Sequence, residues 1–200
     1  KKLLLKAKKP SIGFNIMDSL GILKYLPELK ALQEVPQDPQ WHPEGDVWMH
    51  TMMVIDCMAE LMPNDPEKGL VFMFAALCHD FGKPSTTKFI EERWRSRGHE
   101  KEGIEPSKNF LNRLTDHKQL IDAVIPLVKH HMKPALLYKA EEKDNVTDAA
   151  IRRLSTKVNI TALVLLAKAD HFGRTTEDAI NKQFPAGDWL LARAQQLDVK

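Results

Sequence analysis

The sequence predicts an all-α fold, a helical bundle with a metal site between its helices. Three observations carry that prediction. Nearly all of the apolar periodicity runs at spacings of three and four residues, as amphipathic helices require. The breaks between those runs hold helix punctuation, such as Asp65-Pro66 at a start and Gly173 at an end. Several ionisable side chains sit on apolar faces or ends of different helices, where bundles build metal sites from facing side chains.

The composition supports a buried core. Hydrophobic residues make up 43% of the chain and charged residues 28%, an ordinary globular balance for one domain. A formal net charge of +2 argues against a polyanion-binding surface over the whole molecule and leaves only local basic patches. Cys57 and Cys78 both lie in apolar helical runs, which suits buried thiols in a reducing compartment. Apolar runs fall short of the ~18 residues that span a bilayer. The Leu3-Leu4-Leu5 triplet is too short for the core of a signal peptide. A cytoplasmic protein that does not use a membrane is expected.

From Ser11 to Leu32, Ile12, Ile16, Leu20 and Leu23 recur at helical spacing, with an interruption at Gly21. The following loop, VPQDPQWHPEGD, holds Trp41, His42 and Glu44. Either this content is functional or Trp41 anchors a packed surface loop. Val47 to Met62 is the next helix, with Val47, His50, Val54, Cys57, Met58 and Leu61 on one face. His50 therefore points into the apolar side, as a ligand or as a hydrogen-bonded core histidine.

Asp65 caps a helix that carries Leu70, Phe74 and Leu77 inward and ends at AALCHDFGKP, residues 75–84. A buried carboxylate is costly unless it is paired or binds a cation, so the adjacent His79 and Asp80 ask for a metal. Thr86 to Arg97 is a charged connector, extended or looped, in which Arg93, Arg95 and Arg97 cluster. A helix then places Gly103, Ser107, Phe110 and Leu114 below His99, its first turn made uncertain by Pro106. Lys118 to His131 aligns Leu120, Val124 and Leu127 with His131 and carries a kink-prone Pro126. Met132 to Val146 is expected to be a polar loop, with Lys139, Glu141, Glu142, Lys143 and Asp144 as solvated surface.

Asp148 to Val158 forms a short helix with Arg152 and Arg153. Thr161 to His171 puts Leu163, Leu166 and Asp170 on one face, so Asp170 poses the same question as Asp80. The tail from Glu177 is a weaker amphipathic helix broken over residues 184–188. The inward ionisable set is then His50, His79, Asp80, His99, His130, His131 and Asp170. Imidazole mixed with carboxylate favours Mn, Fe, Co, Ni or Zn, or Mg with more water. Seven ligands exceed what one ion takes, so one or two divalent ions are expected. Neither a nucleophilic serine elbow nor a Walker or Rossmann glycine pattern competes for the chemistry.

The order His50, His79-Asp80, Asp170 resembles the signature of the HD superfamily of metal-dependent phosphohydrolases. The stretches WHPEGDVWMHT, ALCHDFGKP, RGHEKEG, AIRRLS and KADHFGR are similar to the C-terminal HD domain of bacterial CCA-adding tRNA nucleotidyltransferases. The likeness runs from about Ser11 to Arg174. It implies an HD helical bundle over residues 36–176 preceded by a helical connector over 1–35; the weaker amphipathic pattern then predicts a helical tail over 177–200. The likeness further implies that His50, His79, Asp80 and Asp170 hold a first metal, with His99, His130 and His131 added in two-metal members and Asp80 as the bridge. Hydrolysis of phosphomonoesters and 2′,3′-cyclic phosphates is the implied activity. The catalytic nucleotidyltransferase head, with its Gly-Ser and paired-Asp motif, has no counterpart in these residues.

Asp80 and Lys83 are the expected catalytic residues. Lys83 is also expected to contact substrate phosphate, with Arg97 as a second contact. The substrate class is a nucleotide or RNA phosphoester, with tRNA among the candidate partners. The rival reading is a binding module that keeps a structural metal and presents Arg93, Arg95, Arg97 and the basic N-terminus to tRNA or another RNA without turnover, or a supporting domain of a larger tRNA nucleotidyltransferase.

Overall fold

The computed structural model describes residues 1–139 and 145–200 of the chain. Helices dominate, and the strands are a single short hairpin among the described residues. The opening segment is broken into α1 (Lys2–Lys6), α2 (Pro10–Ser19), a 3-10 turn (Ile22–Tyr25) and α3 (Pro27–Lys30). Gly21, at φ 69°, turns the chain between α2 and the 3-10 turn, a left-handed conformation that favours glycine.

Most of the expected apolar stripe of this segment faces the other way. Ile12, Ile16 and Leu20 are exposed and Phe14 is buried in their place, while Leu23 is buried as expected. The inward face of α2 packs on α4 (Val47–Leu61), and Ser11 ties the two together by donating its N–H and Oγ–H to Asp56 at 2.9 and 2.6 Å. Two apolar stripes compete on α2, and contact with α4 decides between them.

The core is one continuous cluster from Leu4 to Ala194. At its centre, α4 packs against α5 (Pro66–Cys78) and α12 (Ile160–Phe172). Asp46 caps α4 by accepting from Met49 N, and Asp65 caps α5 by accepting from Glu67 N and Lys68 N, as expected of an Asp-Pro start. After α5 come the single turn α6 (Lys83–Thr86), the hairpin β1 (Lys88–Ile90) and β2 (Arg93–Arg95), and α7 (His99–Glu102). Then follow α8 (Ile104–Leu114) and α9 (Lys118–His130), the latter packed on α5. Pro106 is the third residue of α8, where its missing N–H costs no helical bond. Leu114, expected inward, is exposed at the end of α8.

Two further expectations change. Lys133–Tyr138 form a helix, α10, where a polar loop was expected, and Pro134 at its start is buried. The predicted surface residues Glu141, Glu142, Lys143 and Asp144 lie outside the described residues, while Lys139 is exposed. α11 (Asp148–Ser155) precedes α12, and the tail forms α13 (Glu177–Ile180) and α14 (Pro185–Gln196), which packs on α12. Residues 185–188, read as a break, instead make the first turn of α14, because Pro185 at the first position is preorganised for a helix start. Cys57 is half-buried and Cys78 buried, and both are free thiols. Among the described residues, no helix is long and apolar enough to cross a membrane.

Candidate metal centre

Two glycines let the site-bearing elements approach each other. A Cβ on Gly82 would lie 2.1 Å from the His99 carbonyl oxygen, so the turn after α5 sits directly on the backbone of α7. That contact brings Asp80 next to His99. A Cβ on Gly173 would lie 2.9 Å from the backbone nitrogen of Val54, so the end of α12 meets α4 and Asp170 reaches His50.

The histidines share one device. His79, His99 and His131 each place Nδ1 2.7 Å from the carbonyl three residues earlier, that of Ala76, Ser96 and Val128 respectively. A carbonyl oxygen only accepts, so Nδ1 carries a hydrogen and Nε2 is left to face the interior. In His50, Nδ1 lies 2.8 Å from the buried Glu44 Oε1, which likewise orients Nε2 inward. These four Nε2 atoms converge with two carboxylates. His50 Nε2 is 3.0 Å from Asp170 Oδ1, and His79 Nε2 is 3.2 Å from Asp80 Oδ2. Asp80 Oδ1, on the other side, is 3.3 Å from His99 Nε2.

His99 and His131 present their Nε2 atoms to each other at 3.1 Å. Burial, with His99 and His79 nearby, pushes the His131 pKa down to about 3, and burial also lowers that of His99. Because Nδ1 of each ring donates to a carbonyl, the neutral rings turn their Nε2 lone pairs toward each other, an arrangement a cation between them would relieve. His79 Nε2 is likewise buried, facing Asp80 Oδ2 at 3.2 Å outside hydrogen-bonding geometry. Burial alone would lower its pKa, but Asp80 raises it, so that edge attracts positive charge. Burial would raise the pKa of Asp80 and of Asp170. The former is instead held well below the carboxylate range by His79, Lys83 and His99, and the latter by Arg174, His50 and His79.

The ligand atoms fall into two groups, each with all its atoms within 4.8 Å of one another: His50, His79 and Asp170, and Asp80, His99 and His131. Each group can hold a cation, and Asp80 turns an oxygen toward each. His42, Glu44 and His50 make a third such group. There Glu44 Oε1 lies 2.9 Å from His42 Nδ1 and 2.8 Å from His50 Nδ1, so it serves to fix the rings. Burial opposes ionisation of Glu44, but hydrogen bonds from His42 and His50 lower its pKa. Buried carboxylates with inward imidazoles fit a divalent ion and need no other explanation.

An HD domain model matches residues 47–175, well over half of the chain. The chain belongs to the HD domain family. It is 35% identical over 197 residues to the Multifunctional CCA protein of Mannheimia succiniciproducens, covering 93% of this chain and 44% of that protein. It is 32% identical over 201 residues to the Multifunctional CCA protein of Stenotrophomonas maltophilia, covering 95% and 45%. The chain spans a little under half the length of the curated relatives it matches. The resemblance read from the motifs is borne out.

Of the seven predicted ligands, the HD domain brings six together. His130 is apart from them. Consecutive helical residues point about 100° apart, so His131 faces the site while His130 is half-buried near Lys129, Lys133 and Lys157. Lys83 is buried, with Nζ 2.8 Å from Asp80 Oδ2 and donating to Gln37 Oε1 at 2.6 Å. Arg97 is exposed and lines the same cavity of about 690 Å³ as Asp80, Lys83 and His99. Trp41 is too exposed to anchor its loop, a role taken by buried Glu44.

Three residues escaped the sequence reading. Glu44 was noticed without a role, because a loop has no periodicity to show where a side chain points. Gln37 gave no signal. Arg174, with Nη2 3.4 Å from Asp170 Oδ1, stands four residues after it on a helix end, and that spacing was the available clue.

Proposed function

We propose that this HD domain is a metal-dependent phosphohydrolase acting on nucleotide or RNA phosphoesters, of the 2′,3′-cyclic phosphodiesterase or phosphatase type. The observation that carries the reading is the convergence of imidazole Nε2 atoms from His50, His79, His99 and His131 on Asp80 and Asp170. When bound, one or two divalent cations supply water of lowered pKa and neutralise phosphate charge. The chain's residues do the rest. Asp80 and Asp170 provide the negative charge that retains cations, and Glu44 keeps His50 in its ligating orientation. Lys83 holds an ammonium at the cavity floor, where it can hydrogen-bond a phosphate oxygen, and Arg97 and Arg174 add positive charge around it.

A second reading, a non-catalytic tRNA-binding or supporting module, is favoured by the name of the relatives and by the basic hairpin. Two of its arginines are already engaged, Arg93 with Asp38 and Arg95 with Glu91. The enzyme reading is tested with protein loaded in turn with Mg, Mn, Co, Ni and Zn. At least one form should hydrolyse 2′,3′-cyclic nucleotides or phosphomonoesters. Asp80→Ala should abolish turnover while helical content stays native, and Lys83→Ala should weaken turnover with metal content unchanged. Salt-sensitive RNA binding without any cleavage would put the second reading in its place.

A further inference from the structure

The mouth of the metal cavity carries more than phosphate chemistry needs. Two of its rim residues are tryptophans, Trp41 at 53% exposure and Trp94 at 37%. Leaving indole in water forgoes the stabilisation of burying it, and the chain does bury Trp48. The two exposed rings come from segments far apart in sequence, the loop before α4 and strand β2.

Asp38 locks those segments together. Its Oδ2 accepts from Arg93 Nε at 2.6 Å, while Arg93 Nη2 donates to Gln40 Oε1 at 2.6 Å. Its carbonyl accepts from the N–H groups of Trp41 and His42 at 3.0 and 2.9 Å. One residue therefore holds both the turn that presents Trp41 and the strand that presents Trp94. Phe89, the cross-strand partner of Trp94, packs edge-on against it with ring centroids 5.1 Å apart. The hairpin closes through Glu91 and Glu92 at φ 52° and 57°, left-handed conformations that cost non-glycine residues on the order of 1 kcal/mol each. The chain keeps this hairpin against local preference.

We propose that Trp41 and Trp94 form a nucleobase-binding wall, which selects nucleotides over phosphoesters without a base. The inference deepens the phosphohydrolase reading and rests on it for where the phosphate lies, between Lys83 on the floor and Arg97 on the rim. Every base offers a π face, so such a wall separates nucleotides from simpler esters without separating one base from another. Because Asp38 and Arg93 already hold both segments in place, binding a base here spares the entropy of ordering a loop.

The test compares 2′,3′-cyclic AMP with glycerol 1,2-cyclic phosphate, which has the same strained ring and no base. Trp41→Ala and Trp94→Ala should each lower kcat/KM for cyclic AMP roughly 5- to 150-fold, the equivalent of about 1–3 kcal/mol per stacked base. Turnover of the glycerol ester should be spared, and Trp94→Phe should retain most of the preference. Equal losses on both substrates, or no loss on either, would overturn the proposal. A second readout does not depend on turnover. Adenosine 3′-monophosphate should quench indole fluorescence in both Trp41→Phe and Trp94→Phe, and inorganic phosphate should not. If neither ester is cleaved, the phosphohydrolase reading falls and the quench alone decides; its absence then overturns the base wall as well.

Discussion

Asp80 turns its two oxygens to different neighbours, Oδ2 toward His79 and Lys83 and Oδ1 toward His99. A single carboxylate so placed can serve two cations, and its removal should be felt in both ligand groups. The neighbouring pair His130 and His131 offers a sharper contrast. His131→Gln should lower metal content, because it removes one of the two nitrogens that face each other at 3.1 Å. His130→Gln should leave metal content at the wild-type level, since its ring lies outside both groups. Metal analysis of protein purified without chelators reads both outcomes; equal metal loss in the two variants would contradict the assignment.

Close backbone approach is what makes a site out of separate helices. The turn after α5 rests on α7 at Gly82, and the end of α12 rests on α4 at Gly173. Any side chain at position 82 must push α7 away, since the obstructing atoms belong to backbone and cannot rotate aside. Gly82→Ala should therefore cost about 1–3 kcal/mol of stability, the usual range for overpacking. It should also reduce metal binding by moving His99 away from Asp80. Urea unfolding and metal stoichiometry measure the two effects. Unchanged stability would mean that the contact between the Gly82 turn and α7 yields more easily than its geometry implies.

The whole molecule joins metal site and core. The candidate ligands come from α4, α7, α12 and the residues closing α5 and α9, and α4, α5, α9 and α12 also supply much of the buried apolar cluster. A cation bound only by the folded state adds stability through mass action, about 2.7 kcal/mol at a hundredfold excess over Kd. For a chain of this size that corresponds to roughly 5–10 °C in Tm. Chelation should lower the melting temperature of the wild type by that order and that of Asp80→Ala by much less. Calorimetry with and without chelator checks this, and equal shifts would mean that the stabilising ion binds elsewhere.

Helical spacing fixes the angle of a side chain about its own axis, so His50 and Asp170 could be recognised as inward from the chain alone; Asp80, in the turn after α5, was legible only through the cost of burying a carboxylate beside a histidine. The Asp65-Pro66 start was legible for a similar reason, because capping is a contact between residues two or three apart. Spacing says nothing about which of two apolar stripes meets a neighbour, and α2 turned Phe14 inward in place of Ile12 and Ile16. It says nothing about a loop, where Glu44 became the support of His50. Nor can it separate His130 from His131 until α9 is docked on α5. Periodicity is a property of one helix, whereas the candidate metal centre and its aromatic rim are made by distances between elements, and those exist only once the glycines have let the helices close.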